Sequence, residues 1–139
     1  MILVDTNVIS EPLRKTPDSR VIAWIDDQPV ETLCLSAITV AELRFGIASL
    51  PDGKRRADLH DTLETRLLPL FAGRVLAFDL AASQAYADLM AQARRRGQAI
   101  GTADGYIAAI ATACGMMVAT RDVAPFRAAG LRVIDPWQA

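Results

Sequence analysis

Apolar runs of strand length recur along this chain and alternate with helical patterns, and some of them, such as "ILV" and "MMVA", show no polar alternation. "ILV" (2–4) is the first and "TLCL" (32–35) the second. "RVLAF" (74–78), "MMVAT" (116–120) and "LRVI" (131–134) follow. A strand with one solvated face alternates apolar and polar residues, whereas a run that is apolar throughout suits burial on both faces. Such strands, alternating with helices over short connections, build a parallel sheet covered on both sides. The expected fold class is therefore α/β, a mostly parallel central sheet of about five strands with helices on both faces.

The intervening segments carry helix signals. A short helix is expected from about Thr6 to Arg14. Thr16 and Pro17 offer a cap and a first-turn proline for a second helix bearing Val21, Ile22, Trp24 and Ile25. Ser36 caps a third that runs to about Ser49, closed by Pro51 and Gly53. Residues 54–68 are strongly charged, with Leu59, Leu63 and Leu67 as a narrow stripe that suits packing on the domain or in a partner's groove. Residues 80–96 read as an amphipathic helix capped by Asp79 and stopped by Gly97, and about Thr102 to Cys114 as another, stopped by Gly115. No repeat, low-complexity segment or linker interrupts the 139 residues, so one domain over 1–139 is expected.

Composition narrows the function. The chain is 52% hydrophobic and 22% charged with a formal net charge of −1, so any polyanion must be held by local patches or a metal rather than a global positive field. No basic segment precedes the first apolar run and Asp5 interrupts it, so no signal peptide is expected. The longest nearly apolar run, residues 106–119, falls short of the roughly 20 residues a membrane span needs. Cys34 and Cys114 lie in apolar surroundings and are expected to be two buried free thiols in a reducing cytosol, giving a cytoplasmic protein. His60 is the sole histidine, on the charged segment, so neither a zinc site nor a histidine-activated nucleophile is in view.

In parallel sheets ligands bind at the carboxyl ends of the strands, near the topological switch. Acids sit at those ends. Asp5 follows the first strand, Asp79 the third, and Asp122 comes shortly after the fourth. Glu42 lies within "SAITVAELRFGI" among apolar neighbours at helical spacing, so its carboxylate is expected to point inward or into a cleft. Asp104 lies in the first turn of an otherwise apolar helix. Ordinary alternatives exist for each. Asp5 and Asp79 can be N-caps, Asp104 can complement a helix dipole, Asp122 can begin a turn and Glu42 can pair with Arg44. For Asp79 the cap is the better explanation. For the others it fits less well, since Thr6 and Asn7 can cap the first helix and Thr102 the helix of Asp104.

In common doubly wound sheets strands one and four are neighbours, which brings Asp5 and Asp122 together, with Glu42 and Asp104 approaching from adjacent helix starts. Four carboxylates so close repel strongly, and a hard divalent cation relieves that. Oxygen-only ligation with open water positions suits Mg²⁺ or Mn²⁺. Hydrolysis of a phosphodiester with metal-activated water is the natural use of such a cluster, with Thr6, Asn7 and Thr120 as supporting hydrogen-bonding residues. "GTADG" lacks the lysine and spacing of a phosphate loop.

Four segments in order, "VDTNVI", "TVAELRFGI", "TADGYIAAIA" and "VATRDVAPF", resemble those of PIN-domain ribonucleases, in particular the VapC/FitB-like toxins of bacterial toxin–antitoxin pairs. The resemblance spans about Ile2 to Asp135. It implies a Mg²⁺- or Mn²⁺-dependent endoribonuclease acting on RNA, with catalytic and metal-binding residues Asp5, Glu42, Asp104 and Asp122. It also implies a homodimer and a cognate antitoxin, often one that binds DNA. One departure stands out. Where many relatives carry a further acid before the phenylalanine of the last segment, this chain has Ala124 and Pro125 before Phe126.

Two rival classes remain. A haloacid-dehalogenase-type phosphatase also starts with an acid after strand one, but it needs a second acid where this chain has Asn7. A non-catalytic module would use the same cleft to hold a partner's arginine. Basic clusters at Arg14-Lys15, Lys54–Arg56 and Arg94–Arg96 are solvated surface or, in a nuclease, flanks for an RNA backbone.

Overall fold

A computed structural model describes residues 1–139. Five short strands, β1 (Ile2–Val4), β2 (Leu33–Ser36), β3 (Val75–Leu76), β4 (Met117–Ala119) and β5 (Val133–Ile134), form one sheet in the order β3-β2-β1-β4-β5. Every pairing is parallel. The chain moves outward from β1 to β3 and then returns to β4, so the switch point lies between β1 and β4. Their register pairs Ile2 with Met117 and Val4 with Ala119.

The unalternating strands are explained by two cores, one on each face of the sheet. Successive residues serve opposite sides. Val4, Leu33 and Leu35 join Val8, Val21, Leu43 and Leu63 on one face. Leu3, Cys34 and Val118 join Leu89, Ile107, Ile110 and Phe126 on the other. The first face is covered by α1 (Thr6–Ser10), α2 (Ser19–Asp27), α3 (Ala37–Ala48) and α4 (Lys54–Asp61), and the second by α5 (Leu80–Arg95), α6 (Thr102–Cys114) and α7 (Val123–Ala128).

The helix starts and stops follow local chemistry, with departures from expectation. Ser36 Oγ accepts from Thr39 N at 3.0 Å and Asp79 Oδ1 from Ala82 N at 2.9 Å, so both are the expected caps. Gly97 and Gly115 close α5 and α6 at φ of 69° and 64°, where a side chain would be strained. The first helix is shorter than expected: after Ser10 the chain tightens into a 3₁₀ turn over Glu11–Leu13, because Pro12 has no N–H to continue the ladder. The cap of α2 is Asp18, which accepts from Arg20 N at 2.8 Å, rather than Thr16.

The charged segment also differs. It is helical only to Asp61, then widens into a π turn over Thr62–Leu67 and a 3₁₀ turn over Leu68–Phe71 containing Pro69. Its leucines do not form a free seam. Leu63 is fully buried in the domain's own core, with Leu59 and Leu67 packed against the same cluster. Helix α7 was not expected at all. Pro125 is its third residue, in the first turn, where a missing N–H costs nothing. Cys34 is buried, but Cys114, at the last turn of α6, is exposed, which corrects the expectation of two buried thiols. No helix is long and apolar enough to cross a membrane.

Candidate active site

The switch point sets two chain ends side by side. Asp5 directly follows β1 and Thr120 directly follows β4. Backbone bonds fix both: Asp5 N donates to Ala119 O at 2.9 Å and Thr120 N to Ile134 O at 2.9 Å. The side chains then meet. Thr120 Oγ1 donates to Asp5 Oδ2 at 2.8 Å, and accepts from Asn7 Nδ2 at 3.3 Å and Asp122 N at 3.0 Å. One donated proton and two lone pairs exhaust that hydroxyl. Asn7 is held at its other end, where its Oδ1 accepts from Arg121 N at 3.2 Å.

Asp5 is buried, 4% exposed, and its carboxylate is also the N-cap of α1, with Oδ1 accepting from Thr6 N at 2.8 Å. The cap therefore falls to Asp5 and not to Thr6 or Asn7, which reverses the division of labour expected from the sequence. The two functions are compatible. A carboxylate offers about four lone-pair positions, and Thr6 N, the Thr120 hydroxyl and a long 3.4 Å contact from Asn7 Nδ2 take three.

Glu42 comes from the second turn of α3. It is exposed rather than turned into the core, at the edge of a cleft, and Thr6 Oγ1 donates to its Oε1 at 2.8 Å. The alternative partner, Arg44, is committed to Glu64, with contacts of 2.8 and 3.0 Å. Behind Thr6 lies a polar thread that sequence reasoning missed: Thr39 Oγ1 is 3.1 Å from Thr6 Oγ1 and 3.3 Å from Ser36 Oγ. Thr39 is fully buried. Its spacing three residues before Glu42 on a helix was the available signal.

Asp104 sits in the first turn of α6, half-buried, under a helix start whose cap position is Gly101 and which has no side-chain cap from Thr102. Because α6 ends at the turn that feeds β4, its start lies toward the carboxyl edge of the sheet. Asp122 is exposed at the start of α7 and its side chain caps nothing.

Electrostatics joins the four. Burial, then the charges of Asp5, Asp122 and Glu42, push the Asp104 carboxyl up to about 6. Burial also raises Asp5, against the lowering effect of its bonds from Thr120 and Thr6, while Glu42 and Asp122 raise it further. None of the four takes part in any ion pair. Arg121, next to Asp122 in sequence, lies instead over the Trp137 ring at 4.9 Å.

A cluster of oxygens with a buried member and no basic partner is the donor set a hard divalent cation requires. No three acidic, histidine or cysteine side chains converge closely enough to cage an ion by themselves. That fits Mg²⁺, which keeps several waters and takes only one or two carboxylates directly.

The PIN-domain family model matches residues 2–131, which span this parallel sheet up to the approach to β5. The chain belongs to that family. Within it the chain falls in the VapC/FitB-like group. It is similar to VapC ribonuclease Y4jK of Sinorhizobium fredii, with 64% identity over 99% of each chain. It is also similar to Toxin FitB of Neisseria gonorrhoeae, with 53% identity over 99% of each. Among solved structures, the FitAcB crystal structure from Neisseria gonorrhoeae superposes with a TM-score of 0.98 at 52% identity over the whole of both chains.

Proposed function

We propose that this chain is a divalent-metal-dependent endoribonuclease, the toxin of a toxin–antitoxin pair, acting as a homodimer on RNA and restrained by a cognate, DNA-binding antitoxin. The observation that carries the catalytic half is Asp5: a buried carboxylate at the switch point that feels the charges of Glu42 and Asp122 and in turn raises Asp104, with no ion pair on any of the four. Relatives named as a VapC ribonuclease and a FitB toxin support the activity, and FitAB bound to a DNA fragment supports the partner.

Asp5 and Asp104 would hold Mg²⁺ or Mn²⁺, with Glu42 and Asp122 beside them. The ion would supply Lewis acidity toward a phosphodiester and acidify water. This chain's own residues do the positioning. Thr120 and Asn7 fix the rotamer of Asp5, Thr6 orients Glu42, and the Ser36–Thr39 thread holds Thr6. A dehalogenase-type phosphatase is disfavoured because Asn7, where its acid would stand, is bonded at both ends of its amide.

The test is incubation with single-stranded RNA and Mg²⁺ or Mn²⁺, beside EDTA and Asp5→Asn controls. Cleavage should be lost in both controls. Phosphate release from a small monoester would instead favour the phosphatase, and partner binding without RNA cleavage would favour the non-catalytic module.

A further inference from the structure

Beside Glu42 a groove of about 280 Å³ runs away from the acidic cluster between α1, α3 and α4. Thr6 and Glu42 stand at one end, Arg14 and Arg55 line it, and Leu43 and Leu59 give it apolar walls. Two features, one behind the groove and one in its lining, are unexpected for packing alone. The first is Glu11, only 2% exposed, whose two oxygens accept from Arg14 Nη1 at 2.8 and 3.2 Å. A buried carboxylate is costly, and an apolar residue would serve the core better. What the pair does is fix Arg14 at one nitrogen while its side chain stays 62% exposed.

The second is Gly46, inside α3 and lining the same groove. A glycine there weakens a helix relative to alanine. No close packing requires it, because a Cβ at Gly46 would meet nothing within 4 Å. The missing side chain leaves the groove open.

Resting on the nuclease proposal, we infer that this groove is the path by which the RNA strand leaves the acidic site. The base next to the scissile phosphate lies over Gly46 against the leucines, and Arg14, braced by Glu11, takes the following phosphate with Arg55. Continuity with Glu42 favours this occupant, since a strand whose phosphate sits at the acids must pass along an adjoining surface. Guanidinium on phosphate with apolar contact to the base is the chemistry of single-strand grooves. Arg14 binds substrate in this scheme, and Glu11 is the positioning residue that acts through it.

The experiment uses the full chain, a short single-stranded RNA with Mn²⁺, and three variants: Gly46→Leu, Arg14→Gln and Arg14→Lys. Gly46→Leu should melt at a higher temperature, which shows that it folds, yet raise KM by about tenfold or more by filling the groove. Arg14→Gln should also raise KM by about tenfold and flatten the salt dependence of RNA binding by about 0.7 in log–log slope, the share of one single-strand phosphate contact. Arg14→Lys should recover most of that slope. A wild type that cuts RNA while Gly46→Leu and Arg14→Gln keep its KM and salt slope overturns the inference alone. The same unchanged RNA kinetics, with weaker binding of the polypeptide encoded immediately upstream, overturns it in favour of a peptide groove. A wild type that does not cut RNA overturns the nuclease proposal first, and this inference with it.

Discussion

The Thr120 hydroxyl donates to Asp5 Oδ2 at 2.8 Å across the junction of β1 and β4, linking residues 115 positions apart in sequence. That bond ties the sheet's topology to the candidate site. The two side chains meet because Val4 pairs with Ala119 at the ends of their strands and Asp5 and Thr120 each come one residue later. Thr120→Val keeps the shape and removes the hydroxyl. It leaves the Asp122 amide and the Asn7 carboxamide without their acceptor, so denaturant titration should show a loss of about 1–3 kcal/mol. Metal affinity or RNA cleavage should fall by about 10–100-fold, as for other residues that orient a ligand.

The acidic cluster should make the metal-free protein pH-sensitive. Asp104 is raised to about 6 and Asp5 is raised as well. A carboxyl raised in the folded state binds its proton more tightly there than when unfolded. Its contribution is fully present below the unfolded value near 3.8 and is lost as pH rises through about 6. Thermal melts in EDTA should therefore show higher stability at pH 5 than at pH 7.5. Adding Mg²⁺ or Mn²⁺ should raise the melting temperature at pH 7.5 and flatten the dependence.

Asp104→Asn removes one charge from that cluster without changing size. It should raise the melting temperature in EDTA at pH 7.5, weaken its pH dependence and remove RNA cleavage. Gaining stability while losing activity is the signature of a site built against the fold's own preference. A drop in metal-free stability at pH 7.5 would contradict it.

The strands, their parallel arrangement and the neighbourhood of strands one and four were legible from apolar runs alternating with helical patterns; β1 and β2 do feed both cores, whereas β3 and β5 lie at the sheet's edges, with Val75 exposed. Asp5, Glu42, Asp104 and Asp122 were legible as strand-end or helix-start acids. What escaped depends on three-dimensional detail. A capping residue can be assigned to any of several adjacent polar side chains, so Asp5, Thr6 and Asn7 looked interchangeable until the backbone placed the cap on Asp5. Helix α7 hid behind Pro125, which usually signals an end and here sits in a first turn. Thr39 and Glu11 are polar residues inside apolar patterns, and only the fold reveals what they touch.

Thiol exposure gives a direct check on the two faces of the molecule. Cys114 is exposed, whereas Cys34 is buried, with burial raising its thiol. A native-state thiol reagent should modify one cysteine quickly, and a denatured sample two. Rapid modification of both in the native protein would contradict the packing of β2.

The leucine stripe makes a stability prediction. Leu63 is 0% exposed between the π turn and the core. Leu63→Ala should cost about 2–5 kcal/mol in denaturant titration. A loss below about 0.5 kcal/mol, the range of surface substitutions, would return the stripe to the role of a free partner surface.

On the proposed function, the acids at the switch point serve a divalent ion in RNA cleavage. The most direct measurement is single-turnover cleavage of single-stranded RNA by metal-stripped protein, with Mn²⁺ titrated back into wild type and Asp104→Asn. No cleavage is expected without metal, with saturable recovery in the wild type and none in the variant at the same Mn²⁺ concentrations. Cleavage that persists in EDTA, or that returns undiminished in Asp104→Asn, would contradict it.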